Sequence, residues 1–167
     1  FCAIAVHQGS TIVSRSEASI LREAREMTRH PLFKGIIQDV GGPTANMYGI
    51  ECRRKIEKGA CRHKRCLTPE PCKHMPVNHG RQVRLLEKLR QIPGVKKVFV
   101  GSGIRHDLIL ADRNQGNKYL EILINHHISG QLKIAPEHSE DHVLFLMGKP
   151  GIEKTRRFIR RFQEKNR

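Results

Sequence analysis

The sequence predicts an α/β fold whose strands lie parallel. Three observations predict it: short apolar runs that end in turn signals, apolar residues at helical spacing between them, and alternation of the two along 167 residues. That length suffices for one core and suggests one domain.

The chain opens on Phe1-Cys2 with no initiator Met, so it is expected to start inside a longer protein. An apolar stretch follows, ending in His7-Gln8-Gly9. Ile20, Leu21, Ala24 and Met27 then recur at helical spacing over 16–30, with Ser16 as the N-cap and Pro31 as the stop. Residues 34–40 read as a buried strand ending at Gly41-Gly42-Pro43. Residues 47–57 have helical character, and a polar stretch rich in Cys, His and Pro runs to about Gly80.

Val83, Leu86 and Leu89 restore helical period over 81–92, and Pro93-Gly94 ends it. Residues 95–100 form a second strand, running into Gly101-Ser102-Gly103. His106 to His127 is helical, with a break near residues 114–117 and a core side of Leu108, Ile109, Tyr119, Ile122 and Leu123. Residues 130–135 read as a third strand, ending at Pro136-Glu137-His138. A helix over 139–147 takes Ser139 as its cap and turns Val143, Leu144 and Met147 inward. After a turn at 148–151, a last helix over about 152–165 sets Phe158, Ile159 and Phe162 among arginines.

In parallel sheets, function collects in the loops beyond the strands' C-terminal ends. The loops after the three strands, joined by the loop holding Cys2, are therefore expected to form one rim and one site.

Charge divides the chain further. Residues 1–51 balance 5 basic against 5 acidic side chains, and residues 98–148 carry 4 against 6. The net +15 comes from 52–97, with 14 against 3, and from 149–167, with 8 against 2. Such blocks suit phosphate or nucleic acid, or a plain solvated face. No apolar run reaches a membrane span, and no signal-peptide pattern opens the chain, so a cytoplasmic protein without membrane contact is expected.

The stretches FCAIAVHQG, SRSEASILREA, GIIQDVGGPTANMYGIEC, VFVGSGIR and LKIAPEH with LMGKPG run in order through nearly the whole chain. In these the chain resembles the central part of YgiQ-type proteins, an uncharacterised branch of the radical SAM superfamily. The resemblance implies a partial (β/α)6 barrel, truncated at both ends, with residues 1–167 a fragment of one barrel domain and 52–80 an insertion within it. It implies that Cys2 is the last ligand of a 4Fe–4S cluster held by a CxxxCxxC motif, whose other cysteines would precede this chain.

The same resemblance puts Gly41-Gly42 where the superfamily's Gly-Gly-Glu backbone binds the amine of S-adenosylmethionine (SAM). Pro43 stands at the Glu position. Arg15, Ser102 and Arg105 would meet the SAM carboxylate, and Glu137 the ribose hydroxyls. The implied reaction is reductive cleavage of SAM to a 5′-deoxyadenosyl radical that takes hydrogen from an unidentified substrate, with this fragment inactive by itself.

Cys52, Cys61, Cys66 and Cys72 form a separate group, spaced C-x8-C-x4-C-x5-C, with His63, His74 and His79 nearby. A polar loop that buries little apolar surface gains stability from a bound metal. Zinc and an auxiliary iron–sulfur cluster both suit such thiolates, while free thiols or adventitious disulfides are the alternatives, since no CxxC knuckle is present. With the basic blocks, this group supports a competing function, a metal-stabilised nucleic-acid-binding module, against which the scarcity of aromatic residues counts.

Overall fold

A computed structural model describes residues 3–42, 44–62 and 65–166. Its centre is a parallel pair of short strands, β1 (Ile36–Ile37) and β2 (Lys97–Val98), with Ile36 opposite Lys97 and Ile37 opposite Val98. Backbone bonds extend the pairing: Phe99 N–H donates to Ile37 O at 2.9 Å, and Val40 N–H to Phe99 O at 2.8 Å.

Helices cover this pair. The chain begins with α1 (Ala3–His7) and α2 (Glu17–Thr28), and Ser16 caps α2 as expected, its side chain accepting from Ser19 N–H at 3.3 Å. Between the strands come α3 (Arg53–Lys58) and α4 (Gly80–Arg90). Val83, Leu86 and Leu89 of α4 are buried against Ala24, Ile37 and Val98 in the main core. A smaller cluster gathers Ile50, Met75 and Leu108.

Beyond β2 the chain forms α5 (His106–Ala111) and α6 (Gly116–Ile122), then one π-helical turn over Leu123–His127. The expected break between the helices is made by Asp112, whose Oδ1 accepts from Asn114 and Gln115 N–H at 3.0 and 2.9 Å. Gly116 is required there, because a Cβ would collide with the Ile109 carbonyl oxygen. α7 (Asp141–Met147) and α8 (Ile152–Lys165) end the fold, with Phe158 buried.

Four expectations need correction. The third strand reduces to one parallel bridge, Ile104 to Ile134, because its approach turns at Gly130 (φ +110°) and only the loop after β2 runs beside it. The helix expected from residue 47 begins at Arg53, after turns at 44–49. Ser139 does not cap α7: His138 Nδ1 accepts the Glu140 N–H at 2.9 Å, and the helix starts after Glu140. Met27 and Ile159 face outward, 38% and 42% exposed, because α2 and α8 bury narrower stripes around Ala24 and Phe158. Among the described residues no helix is long and apolar enough to cross a membrane.

Candidate functional site

The loops that leave the two strands meet. Asp39, just past β1, accepts from Gly101 N–H at 2.8 Å, from Ser102 N–H at 3.2 Å, and from the Ser102 hydroxyl. One carboxylate therefore joins the Gly41-Gly42 loop to the 101–103 loop at the C-terminal end of the parallel pair. Ala45 N–H, further along the first loop, donates to Gly103 O at 3.0 Å. A Cβ at Gly41 would press Ala45 at 3.1 Å, whereas Gly42 and Gly103 face open space. The rim is thus tight beneath and open above.

Beneath it lies a buried polar chain that links the same loops to the helices. The Asn46 amide spans Arg105: Oδ1 accepts the Arg105 N–H at 2.7 Å and Nδ2 donates to its carbonyl at 2.9 Å. Those two bonds fix the amide's orientation, so its Nδ2 donates to His79 Nε2 at 3.2 Å. His79 Nδ1–H in turn donates to Asp112 Oδ2 at 2.8 Å, and the His79 backbone N–H meets the same oxygen at 2.7 Å. The His79 ring stacks on Tyr119 with centroids 4.6 Å apart.

Burial would raise the Asp112 carboxyl, but the hydrogen bonds from His79 and Gln115 outweigh it and hold the group at about 2. Burial pushes the Tyr119 phenol far above its usual range. Its hydroxyl has no hydrogen-bond partner among the described residues.

Of the side chains expected to meet SAM, Ser102 lies on this rim and Arg105 just past it, whereas Arg15 and Glu137 pair with residues outside it. Ser102 is bound to Asp39. The Arg105 guanidinium holds Asp107 at 2.7 and 3.0 Å, and Arg15 lies on Glu23 at 2.5 Å. Glu137 accepts from Lys149 at 2.9 Å and occupies the left-handed region at φ 72°. Cys2 and Pro43 lie outside the described residues, as does His63.

The second cysteine group converges more fully. Cys52, Cys61, Cys66 and Cys72 all line one open cavity of about 280 Å³, with His74 and Lys55 on its wall. Cys52 sits at the N-terminus of α3, and Cys72 N–H donates to Cys66 O at 2.8 Å, which draws two of the cysteines together. Among the described residues, no three His, Cys, Asp or Glu side chains are grouped as a single metal ion requires. His79, a candidate ligand by sequence, is excluded from this cavity by its burial against Asp112 and Asn46. Sequence reasoning passed over Asp39, Asn46 and Asp112, and their one signal is a polar residue flanking a strand or a glycine-containing turn.

The described residues form a mostly helical chain around one short parallel strand pair with a glycine-lined rim, and its relatives carry a family name without an activity. A UPF0313 protein of Fusobacterium nucleatum is 55% identical over 166 residues, which are 99% of this chain and 29% of that protein. A UPF0313 protein of Methanosarcina mazei is 53% identical over all 167 residues, 26% of its length. One from Clostridium perfringens is 49% identical over 162 residues, 24% of its length. The chain therefore spans about a quarter of the curated relatives it matches. No family model and no solved structure matches it.

Proposed function

We propose that this chain is the cofactor-binding part of a radical SAM enzyme. The observation that carries the reading is the junction of the Gly41-Gly42 and Gly101-Ser102-Gly103 loops through Asp39, at the C-terminal end of a parallel strand pair. That is where open parallel sheets hold their ligands, and two of the family-like stretches, around Gly41-Gly42 and Gly101-Ser102-Gly103, meet there. The partial (β/α)6 barrel belongs to this reading, as strands added to the pair seen here.

The rim fits an amino-acid-bearing nucleoside in one respect and requires exchange in another. The open space over Gly42 and Gly103 lets backbone approach a ligand closely. Arg15 and Arg105 each hold a carboxylate already, so both are arranged for carboxylate recognition and would trade Glu23 or Asp107 for that of SAM. Cys2 would hold the cluster, Gly41-Gly42 the SAM amine, and Glu137 the ribose.

When bound, the 4Fe–4S cluster and SAM supply reductive cleavage to methionine and a 5′-deoxyadenosyl radical. The chain's own residues position that chemistry. Asp39 keeps the two loops in register, and the buried Asn46–His79–Asp112 chain fixes the loop ends against α4 and α5. The substrate and the pathway belong to the longer protein.

Two tests follow. The longer sequence should carry cysteines three and seven positions before Cys2. The Fusobacterium relative, loaded with iron and sulfide and reduced without oxygen in the presence of SAM, should release 5′-deoxyadenosine. Loaded protein that releases none contradicts the reading.

A second function, nucleic-acid binding, is favoured by α8, which exposes Arg156, Arg157 and Arg160 on one helix. Its mark is affinity that falls steeply with salt. Arg156 and Arg160 both lie near Glu153, at 3.9 and 2.7 Å, which lowers the charge on offer.

A further inference from the structure

The cysteine cavity has no part in the rim described above, and its chemistry is unabsorbed by the proposed reaction. We infer that Cys52, Cys61, Cys66 and Cys72 ligate a second metal centre, an iron–sulfur cluster distinct from any held by Cys2. The inference stands whether or not the chain belongs to a radical SAM enzyme.

Four features carry it. The first is convergence. Four thiols spread over 21 residues of sequence all face one cavity, and they come from different local structures: the start of α3, the loop after it, and the Cys66–Cys72 pairing. A soft, all-sulfur donor set selects zinc or iron–sulfur clusters over harder cations.

The second is width. A single zinc ion at about 2.3 Å from each sulfur needs its thiolates roughly 3.8 Å apart. The cavity of about 280 Å³ is far larger than one ion, and among the described residues no three His, Cys, Asp or Glu side chains are grouped to hold one. Thiolates on separate irons of a cluster stand further apart than thiolates on one zinc. The size of the cavity therefore favours a cluster over a single ion.

The third is charge. Lys55 lines the cavity and is only 7% exposed, yet its ammonium is held by the Ser10 carbonyl at 2.6 Å and the Ser10 hydroxyl at 3.1 Å, neither of which carries charge. Among the described residues no carboxylate pairs with it, and burying a cation without a charged partner is costly. Four cysteine thiolates around an iron–sulfur core are net negative, so such a centre would offset the Lys55 charge at the cavity wall.

The fourth is the weakness of the local core. Residues 59–79 contain no helix or strand among those described, and the apolar cluster beneath them is limited to Ile50, Met75 and Leu108 with half-buried neighbours. A loop of this kind gains its order from ligation.

The test is metal and acid-labile sulfide analysis of this chain purified without oxygen, alongside Cys2→Ser, Cys61→Ser and Cys66→Ser variants. The expected result is one iron–sulfur cluster per chain, kept in the Cys2→Ser variant and lost in the other two. Zinc in place of iron overturns the cluster assignment. Absence of both metals overturns the site. Because a variant can simply misfold, the wild-type thiols are also alkylated before and after chelation. The inference requires the four cysteines to react at least tenfold faster after the metal is removed; equal rates contradict it.

Discussion

The buried Asn46–His79–Asp112 chain and the cysteine loop at 59–79 adjoin at His79, yet they are built in opposite ways. In the first, every polar atom that joins the three residues meets another at hydrogen-bonding distance, and Tyr119 covers the ring. In the second, four cysteines line one open cavity. One region is closed by its own hydrogen bonds, and the other is open, as the proposed metal centre requires. Polar residues that satisfy each other stabilise, whereas clustered donors facing a common space point to a ligand.

The largest effect should come from opening the closed region. Asp112→Ala strips His79 of its partner and frees the N–H groups of Asn114 and Gln115. Removing one member of a buried pair costs about 3–5 kcal/mol, read as a lower denaturant midpoint. Gly116→Ala should follow at about 1–3 kcal/mol, since its Cβ meets backbone that cannot move aside freely. A wild-type midpoint in either variant would mean the α5–α6 junction is looser than described.

Acid should act next, in two windows. Burial holds His127 at about 4, with the Arg90 and His126 charges adding to the shift and the bond to Val98 O opposing it. The folded state thus prefers the uncharged ring. The associated stability is complete above the unfolded value of 6.5 and is lost as pH falls through about 4. His106, also lowered chiefly by burial, changes stability in the same direction as pH falls below 6.5. Asp112 contributes the opposite charge type: its stabilisation is complete above 3.8 and disappears as pH falls through about 2. Urea midpoints between pH 7 and 3 should therefore decline first through the histidine window, and His127→Asn should flatten that first decline. An unchanged decline in His127→Asn would assign it elsewhere.

The smallest effect sharpens the contrast. In metal-free protein, Cys61→Ser should move the midpoint by less than about 0.5 kcal/mol, because no closed structure is lost. A penalty as large as that of Asp112→Ala would mean the loop is already packed without a ligand.

What could be read from sequence follows the same division. Ser16 and the Val83, Leu86 and Leu89 stripe were legible because capping and helical period are local signals. The cysteine group was legible because clustered thiols in a polar loop are rare. The partnership of His79 with Asp112 was not, since 33 residues separate them and a histidine beside four cysteines reads as a ligand. The third strand failed for a related reason: residues 130–135 have strand composition, but only Ile104 offers an edge, and a strand is defined by its partner. Of the rim, the glycines stood out while Asp39, which joins its loops, did not.

Hydrogen exchange on this chain, compared with and without the proposed metal centre, tests the contrast most directly. Amides at 45–46, 79–86 and 112–120 should stay protected in both states, and those at 59–62 and 65–78 should be protected only when metal is bound. Equal protection of 59–62 and 65–78 in both states, or loss of protection around His79 on removing the metal, would contradict the account.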